Sequence, residues 1–363
     1  MELFEVSRDS FEGLPEFNEY LSNHDESPIE NDLHIVAGLS QYSEDEFLDL
    51  LLARGFESED YGEVTRVEKE YTYSGEEYTA GFYIHYHASD GDDSGGVVLL
   101  YTNQRKTKEI KHTVKSIFEN EHGLYYLHVG PRLFQIVREE VLQTEEFAEI
   151  TEFVADRSKD SDRPSRIRPN FKRTIRYFGD DGWEALREME ENYGVRPRYL
   201  KFNIPNDASF KIARDGVFSL AEGNLDTLFN YVQVCIREGL AIKQAFDGSN
   251  FEMVSTTESL SIPTAEPAVI DLNTELQYSQ LGDIKSRMAE EDYFIVDSFG
   301  QEGSVHFSSK VYDKQKENTF RLKATDDRIR VFPQEEQGDL GSFLRFHEFV
   351  QNHIDPEAEA SPP

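Results

Sequence analysis

Cysteine is nearly absent from this chain of 363 residues. Cys235 stands alone, so no disulfide closes within the chain and no thiolate cluster can hold a metal. It falls at an apolar position of a helical pattern, which points to a packed core thiol rather than a nucleophile. Long hydrophobic runs are missing too: no stretch approaches the roughly 18 apolar residues of a membrane span. The opening Met1-Glu-Leu-Phe-Glu lacks the basic and apolar regions of a secretion signal. A soluble, cytoplasmic protein is the expectation. There is no dinucleotide fingerprint, nucleophile elbow or His-Glu-x-x-His, and the Gly/Asp/Ser stretch at 91–96 lacks the Lys of a phosphate-cradling loop. No cofactor, metal or catalytic residue is therefore assigned, and an enzyme with dispersed site residues stays open only as an alternative.

Positive charge is also scarce. Thirty-seven Lys and Arg face 71 Asp and Glu, giving a formal net charge of −34. The carboxylates are scattered through all segments rather than gathered in a tail, which fits a cytoplasm of molar salt better than a set of cationic partners. At about 1 M salt the Debye length is only about 3 Å, so such a charge costs little self-repulsion. Hydrophobic residues at 38% and aromatics at 12% are too many for a disordered chain.

The pattern of elements predicts an α+β protein of antiparallel or mixed sheets backed by helices. An N-terminal α+β domain is expected over 1–147, a central one over 148–247 and a C-terminal one over 268–355. The Ser/Thr/Pro-rich 248–267 reads as a linker or extended connection and 356–363 as a disordered tail. Within the first region Ser43-Glu-Asp-Glu46 has the spacing of a capping box, and Asn103 that of an N-cap. Residues 210–236 and 320–354 both read as two strands, Gly-Asx-Leu, then an amphipathic helix, a candidate repeated strand-strand-helix unit whose open sheet face would present a binding surface.

Two basic islands break the acidic background. Residues 157–176 hold eight cations and two acids, and 104–118 hold five cations, so 13 of the 37 fall within 35 positions. In the first island Phe171, Ile175 and Tyr177 alternate with Lys172, Thr174 and Arg176, the parity of a strand with a cationic ladder, to which Arg163, Arg166, Arg168 and Arg173 add charge. In the second, Ile110, Val114, Ile117 and Phe118 form the apolar arc of a helix, with Arg105, Lys108, Lys111 and Lys115 on the adjoining arc. This is the footprint of a polyanion-binding surface, with nucleic acid as the expected partner. In that case Arg168, Lys172 and Arg176 should be exposed rather than each paired to a carboxylate. Docking of an acidic protein is the alternative. Neutralising about six phosphates loses roughly five decades of affinity per decade of salt, so binding in molar salt needs bidentate Arg contacts or stacking on aromatics.

Other candidates are weaker. His85 and His87 share one strand face near Asp90, Asp92 and Asp93, a pattern more often packed or exposed than metal-binding. Asp180 and Asp181 read as helix caps, and Glu68-Lys69-Glu70 as surface charge.

Overall fold

The computed structural model describes residues 2–22, 32–88, 95–145, 147–157, 173–257, 260–300, 303, 305–334 and 338–361. The chain is mixed α+β, with antiparallel sheets of eleven and six strands and a two-stranded hairpin among these residues. It divides into two compact units, one of 1–129 with 133–237 and one of 130–132 with 238–363, where the sequence suggests three domains. No described helix is long and apolar enough to cross a membrane.

The first unit opens with α1 (Leu14–Ser22), β1 (Leu33–Ser40), α2 (Glu44–Ala53) and β2 (Glu57–Asp60). β3 (Thr65–Tyr73) and β4 (Glu76–Ala88) make a long hairpin before β5 (Gly96–Thr102). A short π-helical turn (Lys106–Ile110) then leads to α3 (Val114–Asn120), β6 (Leu124–Tyr126) and α4 (Pro131–Thr144). β7 (Glu149–Arg157), β8 (Arg173–Phe178), α5 (Gly182–Tyr193), β9 (Val195–Ile204), β10 (Ala208–Ala213) and β11 (Val217–Gly223) precede the long α6 (Leu225–Asp247). The strands align in the order β2-β3-β4-β5-β1-β11-β10-β9-β7-β8, with β6 also on β1. Residues 1–147 and 148–247 thus share one sheet, closed by the β1–β11 pair in which Ile35 meets Phe218. That pairing joins segments far apart in sequence, which local patterns do not encode.

Local chemistry explains several boundaries. The capping box at α2 is present: Ser43 Oγ accepts from Glu46 N at 3.4 Å, and the Glu46 carboxylate accepts from Ser43 N at 2.9 Å. β5 is buried at every position, as its run Val-Val-Leu-Leu requires. Asn103 is not an N-cap; its side chain accepts from Phe4 N at 3.2 Å. The turn of helix begins after Arg105, whose N–H is taken by the buried Glu109 carboxylate at 3.1 Å.

The described helices cover only half of one sheet face. Over β1, β3, β4 and β5, Val36, Val67, Phe82, Ile84 and Leu100 pack with Phe47 and Leu51 of α2 and Val114 and Phe118 of α3. Toward β8 no described helix continues this layer. The opposite face there is apolar and buried, with Phe153, Leu200, Phe202 and Phe210 in the core and Tyr231 of α6 stacked 5.5 Å from Phe210.

The second unit contains β12 (Asn250–Thr257), β13 (Leu260–Glu266), β14 (Ala268–Asp271), α7 (Leu281–Glu290) and β15 (Tyr293–Gly300). β16 (Phe307–Asp313), β17 (Asn318–Ala324), β18 (Arg328–Pro333), α8 (Leu340–His353) and β19 (Glu359–Ser361) complete it. Its larger sheet runs β15-β16-β17-β18-β14-β19. Phe346 and Phe349 of α8 meet Tyr293 edge-on at 6.1 and 5.8 Å, filling the inner face. The stretch expected as a linker or extended connection forms the β12–β13 hairpin, with Asn250 opposite Glu266. Its Ser/Thr content misled because it also carries Val254, Thr256, Ile262 and Thr264, β-branched residues that favour extended pairing. The expected disordered tail contains β19, which pairs with β14 and satisfies an edge that would otherwise be open. Residues 362–363 lie outside the described residues.

Candidate nucleic-acid interface

Register alone builds a polar row across the part of the first sheet that no described helix covers. His34 lies opposite Ser219, Ser219 opposite Lys211, Lys211 opposite Lys201, Lys201 opposite Glu152 and Glu152 opposite Phe178. The neighbouring row runs Ala213, Tyr199, Val154 and Arg176. Side chains two apart on a strand share a face, so both rows point away from Phe153 and Leu200. In β8 this parity is the one the sequence suggests: Tyr177 stacks on Phe153 at 4.9 Å in the covered layer, while Thr174, Arg176 and Phe178 are exposed.

The islands are represented on this surface from both sides. Lys115 pairs with Asp215, and Lys106 reaches the same carboxylate at 3.1 Å. Asp215 sits in the β10–β11 turn beside Gly216, whose φ of +65° only glycine adopts easily. A Cβ there would also come within 2.7 Å of the Ala37 carbonyl oxygen, so the turn is tucked against β1 and holds its carboxylate at a fixed place. Arg176 grips Glu152 with Nε at 3.1 Å and Nη2 at 2.8 Å, while remaining 60% exposed. It is therefore both accessible and paired. Lys108 donates to the Tyr78 hydroxyl at 3.0 Å, and Arg105 and Lys111 are exposed. Arg173 is half-buried at the start of β8. Arg163, Arg166, Arg168 and Lys172 lie outside the described residues.

Electrostatics ties the two ends together. Burial lowers the Lys106 pKa against the pull of Asp215, and Lys115 and Lys211 push it the same way. One carboxylate between two ammonium groups leaves that cluster cationic. Burial opposes ionisation of Asp215, but Lys106 and Lys115 outweigh it and hold the carboxyl below its usual range. Glu152 is likewise held low despite burial, by hydrogen bonds from Tyr199 and Arg176, with Lys211 adding attraction. Burial and the bond to Glu152 push Tyr199 up to about 12. His34 is depressed to about 4, mainly by burial, with Asp32 opposing and Lys211 and Lys106 reinforcing. Its Nδ1 lies 2.8 Å from Ser219 Oγ, a neutral hydrogen-bonding imidazole at ordinary pH.

Lys201, Lys211, Tyr199 and Phe178 belong to this surface and escape a search for dense basic windows. For the two lysines the signal is alternation: in Leu200-Lys-Phe and Phe210-Lys-Ile each sits between buried apolar residues. Phe178 is 62% exposed beneath the Arg176 guanidinium, 4.6 Å from its ring centre.

The remaining candidates resolve differently. His85 and His87 line a cavity of about 620 Å³ in the first unit, with Glu140, Glu145 and Arg237 also on its walls. His85 Nδ1 is bound to the Glu63 carbonyl at 3.0 Å, and no described group of three His, Cys, Asp or Glu could hold a metal ion. Asp90, Asp92 and Asp93 lie outside the described residues. Asp181 caps nothing with its side chain; its carboxylate takes the Tyr177 hydroxyl. Glu68 is bound by Arg66 at 2.9 Å, and Lys69 donates to the Arg54 carbonyl at 2.6 Å, so that triplet is structural. Cys235 is buried, as expected.

Comparison with known proteins adds two likenesses. Residues 134–215, from α4 to the Asp215 turn, match a family model described as a family middle domain. That span includes Arg176, Tyr199, Lys201 and Lys211. Over 96% of its length the chain is also similar to an uncharacterized protein of Archaeoglobus fulgidus, 26% identical over 365 positions and 95% of that protein.

Proposed function

We propose that the protein is a non-catalytic polyanion binder of a high-salt cytoplasm, and that the face of β7–β11 left free by the described helices, with its Lys106–Lys115 border, takes nucleic acid. The observation that supports this is the position of Lys201 and Lys211. They stand on one row between the described members of the two islands, so Lys106, Lys115 and Arg176 belong to a single surface. Bidentate Arg176 and the aromatic rings of Tyr199 and Phe178 supply contacts that survive salt better than a bare ammonium. Docking of an acidic protein is the second reading, favoured by the carboxylates of Glu152 and Asp215 already seated in the patch, since a peptide carboxylate would take the same contacts. A filter-binding titration with oligonucleotides in molar KCl decides between them. Saturable binding weakened by the K201Q/K211Q pair supports the nucleic-acid reading; unchanged affinity in that variant, or no binding at all, removes it from this face.

A further inference from the structure

The second unit carries a face that neither island announces. In its six-stranded sheet, the inner residues of β16 to β18 are Ser309, Val311, Phe320, Leu322, Ile329 and Val331, all buried. The outer residues follow from the register. Lys310 lies opposite Arg321 and Arg321 opposite Phe332; Ser308 lies opposite Lys323 and Lys323 opposite Arg330. Lys310, Arg321, Lys323 and Arg330 make no ion pair among the described residues, in a chain where acids outnumber bases nearly two to one. Like charges directly opposite on paired strands destabilise a sheet. Two such pairs side by side therefore oppose folding, and an anionic ligand would relieve both. Arg328, by contrast, is held between Asp271 and Asp327, each at 3.6 Å.

Aromatic rings frame these cations. β15 has an irregularity in register between Ile295 and Asp297, so Phe294 lies opposite Tyr312, and Phe299 opposite Ser308. One extra residue reverses the alternation, which puts Phe294 and Phe299 on the same outer face. They are 58% and 67% exposed, among the most exposed large apolar side chains of the described chain. On the far side Lys323 Nζ stands 4.9 Å from the centre of the Phe332 ring. The one carboxylate on these rows is Asp297, opposite Lys310.

We infer that this outer face binds single-stranded nucleic acid, with bases stacked on Phe294, Phe299 and Tyr312 and phosphates on Lys310, Arg321, Lys323 and Arg330. The occupant follows from the combination. Cations with no ion pair among the described residues select a polyanion, and exposed rings beside them select one with free planar faces, which single strands offer and duplexes bury. Stacking on exposed rings persists where salt suppresses ion pairing. This site is separate from the face of the first unit and does not rest on it.

The test uses the full chain and fluorescence anisotropy with labelled dT20, a 20-base-pair duplex and inorganic polyphosphate, from 0.3 to 2 M KCl. Saturable dT20 binding is expected. The pair F294A/F299A should weaken it about tenfold or more while leaving polyphosphate binding within about twofold, as expected from loss of stacking. The triple variant K310Q/R321Q/K323Q should reduce the log–log salt slope by about two, at about 0.7 per phosphate lost. K201Q/K211Q separates the two faces: if it alone weakens dT20 binding, the first unit is the site and this inference fails. Equal losses for dT20 and polyphosphate in F294A/F299A would overturn stacking. No dT20 binding, with a dimer in size-exclusion chromatography that F294A/F299A abolishes, would assign the β15 edge to a second copy of the chain. Circular dichroism melts of each variant confirm folding, since all the altered side chains face outward.

Discussion

The two outer faces differ in where their carboxylates fall. Both units lay an antiparallel sheet on helices and leave cations and rings on the other side. On the first sheet, Arg176 meets Glu152, Arg198 meets Asp156, and Lys106 and Lys115 meet Asp215. On the second, four cations stand in two like-charged cross-strand pairs with no ion pair among the described residues, and Asp297, opposite Lys310, is the one carboxylate on their rows. The first face neutralises part of its own charge, although Lys201 and Lys211 also stand directly opposite one another there, while the second leaves both of its like-charged pairs without an ion pair among the described residues. Among the described residues it is strand register, not cation density in the sequence, that decides whether a Glu or another Lys comes opposite a given cation.

The largest expected effect acts on both faces at once. Transfer from 2 M to 0.1 M KCl removes the screening of a charge of −34. The thermal midpoint should fall by roughly 10 °C or more, equivalent to about 3–4 kcal/mol for units of this size. A midpoint that does not fall would remove the high-salt reading and leave the scattered carboxylates without that explanation.

Next in size is the contrast itself. Asp215→Asn leaves two partly buried ammonium groups facing one another. It should cost about 1–2 kcal/mol, between an exposed and a buried pair. Asp297→Asn on the second face should stay within about 0.5 kcal/mol, as exposed substitutions do. Denaturant melts that give the two variants equal losses would show that Asp215 is no more structural than Asp297.

Acid should act on the first face through His34. Its folded pKa of about 4 lies below the ordinary 6.5, so the unfolded chain binds the extra proton. The stability contributed by the neutral imidazole is present above pH 6.5 and lost as pH falls toward 4. A His34→Gln variant should lose a few degrees less than the parent between pH 7 and 4.5; parallel melting curves would mean the imidazole titrates freely.

The smallest effect has an unusual sign. Lys323→Gln removes one member of a like-charged cross-strand pair and should leave stability unchanged or raise it by about 0.2–1 kcal/mol in the absence of ligand. A clear loss would show that this cation is held by a contact of the fold.

The elements were legible where period and caps agree, as in the Ser43–Glu46 box, the apolar arc of Ile110, Val114, Ile117 and Phe118, and the alternation through Ile175 and Tyr177. They were obscured where composition imitates something else: Ser and Thr made β12–β13 resemble a linker, and a short polar terminus made β19 resemble a tail. Of the candidate surface, Lys115 and Arg176 were recognisable as members of basic islands. Lys201 and Lys211 were not, because each cation is separated from the next by a buried apolar residue. The second face has the same grammar in Phe320-Arg-Leu-Lys-Ala and Arg328-Ile-Arg-Val, where parity carries the information that density does not.

By itself the sequence determined the α+β class, the buried thiol, the net negative charge and most strands, because burial and backbone propensity act over a few residues. Only the tertiary structure decided that β1 joins β11 to make one sheet of two expected domains, that Asp215 lies between Lys106 and Lys115, and that Lys310 faces Arg321. Each of those is a pairing of segments whose partners are chosen by hydrogen-bond register and by the packing of the opposite face. A change of one residue in register would put a different charge at every such position.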